Sequence, residues 1–128
     1  MASNPLFMVY FRGPATLADA ARALIAHKLH VVEAGDTLEV RWKAGTGPVF
    51  WVGLNAEPWV VVEAAEQAEA KGVPEMANLD RRFEVPMDDL DAALDEYNTL
   101  FEVQATLQDL TGGYLVNSWN GNVTPPEG

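Results

Sequence analysis

Six consecutive apolar residues, Leu6-Phe7-Met8-Val9-Tyr10-Phe11, closed by Gly13-Pro14, constrain the fold more than any other feature. A strand with one wet face would alternate. An unbroken run rich in aromatic and branched residues predicts a strand buried on both faces, in the middle of a sheet. The run is too short to span a bilayer. With no basic stretch before it and Arg12 directly after it, it does not read as a signal peptide either.

The rest of the chain supplies partners for that strand. Thr16 stands three residues before Asp19 in a capping-box arrangement, and Leu17, Ala20, Ala21, Leu24 and Ile25 recur at helical spacing up to Lys28. An extended piece from His30 to Glu33 leads through Gly35-Asp36 into Thr37 to Lys43, where Leu38, Val40 and Trp42 alternate with polar residues, which predicts a strand with Trp42 in the core. Ala44 to Pro48 reverses the chain into a second, more apolar strand over Val49 to Leu54. Trp59 to Val62 favours a strand and Glu63 to Ala70 a helix, so this stretch reads as a short strand running into a helix that Gly72 and Pro74 terminate. Arg81 to Val85 reads as another strand. The longest element is a helix from Asp88 to Leu110, with Leu90, Leu94, Tyr97 and Phe101, then Leu100, Val103, Leu107 and Leu110, as a wide buried face. Asp91, Asp95, Asn98, Glu102, Thr106 and Asp109 form its opposite, solvated face. A last strand follows over Tyr114 to Trp119, Asn120-Gly121 marks a turn, and residues 120–128 read as a loose tail.

This order of elements predicts a single α+β domain over residues 1–128, with a mixed or mostly antiparallel sheet and helices packed on one face. A ferredoxin-like arrangement with an insertion is the expected topology. The chain is long enough for one core and too short for two ordinary domains.

Chemistry is narrowed mostly by what the residues do not offer. There is no cysteine, so disulfides, thiolate zinc sites and cysteine nucleophiles are excluded, and a reducing, cytoplasmic location is the simplest expectation. The two histidines, His27 and His30, stand three apart with Glu33 a further three on. The apolar pattern Leu29, Val31, Val32 makes that backbone extended, which separates them as metal ligands. Gly45-Thr46-Gly47 joins two hairpin strands instead of opening a helix as phosphate binding requires. No catalytic site, cofactor or metal is expected.

Charge is the positive signal. From Met1 to Ala56 four acids face five bases; from Glu57 to Asp109 fourteen acids face only Lys71, Arg81 and Arg82, so this stretch carries the whole net charge of −11. Such a field repels nucleic acid and anionic lipid and steers basic partners inward.

The segment from Leu79 to Val123, about a third of the chain, contains Asp80-Arg81-Arg82-Phe83-Glu84-Val85, Asp88-Asp89-Leu90-Asp91, Tyr97-Asn98-Thr99-Leu100 with Gln104, and Gly113-Tyr114-Leu115-Val116-Asn117-Ser118-Trp119-Asn120-Gly121. It resembles small bacterial α/β proteins of the immunity type, which neutralise a toxin. The resemblance is one of class and assigns no residue; it implies a non-enzymatic protein whose partner is a toxin or enzyme. Carboxylates that imitate phosphate suit the capture of a basic active site. The expected contact surface is Asp88, Asp91, Asp95, Asn98, Glu102, Asp109 and Trp119, with a basic protein as partner, neither nucleic acid nor membrane, and monomer or dimer left open. The rival expectation is a small-molecule-binding or regulatory domain that dimerises through its sheet, with Phe50, Trp51 and Trp59 at the contact.

Overall fold

The computed structural model describes residues 6–43, 48–87 and 90–126; all but Pro48 of the glycine-rich turn expected over Ala44 to Pro48, and the acids Asp88 and Asp89, lie outside them. The strands are β1 (Leu6–Phe11), β2 (His30–Ala34), β3 (Thr37–Arg41), β4 (Phe50–Asn55), β5 (Arg81–Pro86), β6 (Tyr114–Asn117) and β7 (Val123–Thr124). The helices are α1 (Leu17–Ala26), α2 (Trp59–Lys71), α3 (Leu90–Asp95) and α4 (Tyr97–Thr111), with a short 3-10 turn at Pro74–Asn78. The class is α+β, as the sequence predicts.

All seven strands form one sheet in the order β2-β3-β4-β5-β1-β6-β7. Every ladder is antiparallel. β1 lies between β5 and β6, and the run β6-β1-β5-β4, with α1 following β1 and with α3 and α4 joining β5 to β6, has the all-antiparallel strand order of a ferredoxin-like unit, into which the β2–β3 hairpin and α2 are inserted. β1 is central and buried from Phe7 to Phe11, as its unbroken apolar run requires.

The helices do not share one face. Phe7, Val9 and Phe11 point into the larger core beneath α1 and α4, with Leu24, Leu100, Val103 and Leu107. Met8 and Tyr10 point the other way, into a smaller core with Val60, Ala64 and Ala68 of α2 and with Met76. A strand apolar on both sides needs a cover on both sides, and α2 supplies the second.

That role also explains the correction at Trp59 to Val62, which are helical from the start. Val60, Ala64 and Ala68 repeat every four residues and are buried, as one helical stripe demands. Burying Val60 contributes about 1.5–3 kcal/mol, more than the roughly 1 kcal/mol over which strand preferences range. Trp42, expected in the core, is instead exposed, because β3 ends one residue earlier. The C-terminal stretch is not wholly a loose tail: Val123–Thr124 pairs with β6.

Two local features set the position of α4. Gly112 takes a left-handed conformation, φ 64°, and donates its amide to the Gln108 carbonyl at 2.7 Å, which ends the helix. A Cβ on Gly113 would sit 2.5 Å from the Tyr10 carbonyl oxygen, so only glycine lets β6 start this close to β1.

Candidate functional site

The expected long helix is two helices. Glu96 leaves helical geometry at φ −103°, ψ 44°, with no proline or glycine at the break. Beyond it α4 buries Thr99, Leu100, Val103, Gln104, Thr106 and Leu107. The exposed side of α4 therefore carries Tyr97, Asn98, Phe101, Ala105 and Asp109, again at helical spacing. Leu94, Tyr97 and Phe101, expected in the core, are 44%, 52% and 58% exposed, and Thr106, expected in solvent, is buried. Two apolar stripes along one helix would wrap more of its circumference than a helix lying on a sheet can bury. That excess width was the signal in the sequence that one stripe must face outward.

The carboxylates expected at the surface are distributed around these aromatics. Asp91 and Asp95 on α3, and Asn98 and Asp109 on α4, are exposed. Glu102 is committed elsewhere: it lies on the side of α4 that meets α1, and its Oε1 is 2.7 Å from His27 Nδ1 at the end of α1. Trp119 is half-buried and packs against the larger core, so it is less open than the rim position expected. Asp88 is outside the described residues. Tyr97 and Phe101 touch edge to face, with ring centroids 5.0 Å apart.

Along the other flank of the same stripe, between α4 and the β6–β7 hairpin, lies an open cleft of about 250 Å³. Phe101, Gln104, Ala105 and Gln108, one helical row, form one wall, and Leu115 and Asn117 face them. Gln104 is buried and donates its amide to Asn117 Oδ1 at 3.2 Å. Gln108 donates to the carbonyls of Gly113 and Thr124, at 3.2 and 3.1 Å, and so ties the hairpin to the helix.

On the opposite side of the molecule a polar network fills the space beneath the start of α2. Arg82, on β5, has a side chain only 8% exposed. Its Nη1 donates to Tyr10 Oη and to Glu63 Oε1, each at 2.7 Å, and its Nε donates to Glu84 Oε2 at 2.6 Å. Tyr10 donates to Glu63 at 2.8 Å, and the Trp59 ring lies over the guanidinium at 4.7 Å. Burial above all raises the Tyr10 phenol well above its ordinary pKa, against the pull of the Arg82 charge. Burial alone would lower Arg82, but the charges of Tyr10 and Glu84 and the hydrogen bonds to Tyr10 and Glu63 outweigh it and raise its pKa. Both carboxylates are spent on one guanidinium. This is an arrangement that fastens α2 to the sheet, and it leaves no free acid and base facing a shared substrate position.

Other candidate chemistry is dispersed. β2 starts at His30 while His27 ends α1, so the helical spacing between them is broken. Among the described residues no three His, Cys, Asp or Glu side chains gather as a metal site would need, and no helix is long and apolar enough to cross a membrane. Phe50 is fully buried under α1 and α4, Trp51 is half-buried, and Trp59 caps Arg82. With Phe50 inside the core, the three do not form the common sheet-face contact that dimerisation through the sheet called for. The chain matches no family model, no curated protein and no solved structure.

Proposed function

We propose that the protein is a non-enzymatic binding protein, an inhibitor of the immunity type, that captures a basic protein through the outer face of α3 and α4. The observation that carries this reading is the exposed Tyr97–Phe101 pair, with Leu94, set among Asp91, Asp95, Asn98 and Asp109. Exposed ion pairs contribute little each, and tight interfaces draw their energy from a few aromatic anchors that lose water on contact. This face combines both parts. The carboxylates, backed by the net charge of −11, accelerate encounter with a cationic surface, and the rings supply the area that is then desolvated. A cluster of large apolar side chains in solvent is otherwise a liability to a monomer.

The test is capture of proteins from a lysate of the source organism on the immobilised chain, followed by elution with salt. The reading requires one basic protein that resists moderate salt and is lost from the Tyr97→Ala/Phe101→Ala double variant. Equal capture by the double variant, or retention of nothing basic, would sink it.

A further inference from the structure

We propose that the cleft between α4 and the β6–β7 hairpin is a receptor for a single arginine side chain of the partner. This deepens the binding reading, on which it rests for the source of the arginine.

Size comes first. Pockets that enclose whole small-molecule ligands run from roughly 300 to 1,000 Å³. At about 250 Å³ and open to solvent, this cleft fits one long side chain better than a cofactor or metabolite. Polarity comes next. Gln104 spends one of its two amide hydrogens on Asn117, and Gln108 spends both of its own on the carbonyls of Gly113 and Thr124. Among the described residues neither glutamine carbonyl oxygen is taken up by a hydrogen bond, so the wall offers two acceptors to a ligand that carries several donors, beside the amide hydrogens of Asn117. The two lie four residues apart on one helix, where side chains stand about 5–6 Å from one another. A planar guanidinium with five donors can reach two such acceptors at once, whereas an ammonium acts as a point charge. Phe101 supplies a largely exposed ring at the mouth, over which a guanidinium can stack. Among the described residues no lysine or arginine lines the cleft, and the net charge of −11 draws cations toward the molecule. The cleft is also continuous with the aromatic face, because Phe101 belongs to both.

The experiment titrates the isotope-labelled full chain with acetyl-Gly-Arg-Gly-amide and, separately, with the citrulline analogue, which keeps the shape and loses the charge. Saturable shifts of the Gln104 and Gln108 side-chain amides and the Phe101 ring are expected with arginine, with binding about tenfold weaker for citrulline. Ala105→Arg places a resident cation at the wall, on an exposed helical position that tolerates it, and should abolish the shifts; Phe101→Ala should weaken them. Equal binding of the two peptides, shifts confined to Asp91 and Asp95, no saturable shift in the cleft, or full binding by Ala105→Arg would each overturn the assignment. The tripeptide needs no partner protein, so the two ideas fail separately. A cleft that binds it while no basic protein is captured removes the partner and keeps the receptor. Capture that depends on Tyr97 with a silent cleft does the reverse.

Discussion

Tyr97 and Phe101 meet edge to face, with 72° between their rings, on the side of α4 turned away from the sheet. Replacing either with alanine should therefore lower stability by about 1 kcal/mol or less, since the pair covers no core. The same change should weaken capture of a basic partner by about 2 kcal/mol, close to thirtyfold, as removal of an interface anchor does. Urea unfolding and a binding titration on the same variants separate the two effects. A large loss of stability with unchanged binding would reverse the assignment of these rings.

The acids of the paired helices should not be equivalent. Asp91→Lys/Asp95→Lys should slow association and flatten its dependence on ionic strength, because both groups are exposed and free to act on an approaching charge. Glu102→Lys should do less to the association rate. Its main effect should be to break the contact with His27, costing about 0.2–1 kcal/mol, the worth of an exposed pair. Association rates measured at two salt concentrations would decide the order; a larger kinetic effect at Glu102 than at Asp91 and Asp95 would contradict it.

Arg82 is the polar residue whose loss should cost most. Arg82→Met leaves Glu63 and Glu84 without their countercharge and should destabilise by about 3 kcal/mol, at the lower end for a broken buried pair because both carboxylates reach solvent. Adding Glu63→Gln and Glu84→Gln should restore most of it. Urea midpoints for the single and triple variants test this, and a triple variant no more stable than Arg82→Met would show that charge is not the issue.

The Tyr10 phenol adds a dependence on alkaline pH. Its folded pKa lies above the ordinary value near 10, so the folded state keeps the proton after the unfolded chain has begun to lose it. The resulting stabilisation is complete below about pH 10 and declines as pH rises further. The stability advantage of the wild type over Tyr10→Phe should accordingly shrink from pH 10 upward. Urea unfolding of both proteins across that range would show it, and a constant difference would rule out the linkage.

The sequence by itself determined the elements whose signals are local. The unbroken run at Leu6 to Phe11 specified a central strand, Thr16 and Asp19 specified the start of α1 through a capping box that forms as read, and Gly112 specified the end of α4. Tertiary structure decided everything that depended on which surface another element would cover. Val60 to Val62 carry a strand preference, yet the second face of β1 required a helix and the burial of Val60 outweighed it. Leu94, Tyr97 and Phe101 are as apolar as Leu100, Val103 and Leu107, and no local rule ranks one stripe over the other. The sheet can receive only one side of α4, and the side it left out holds the aromatic half of the proposed binding face. The charge of that face was legible from composition, because charge sums along a chain regardless of fold. Its rings and its cleft were not, because exposure belongs to the packing of the whole molecule.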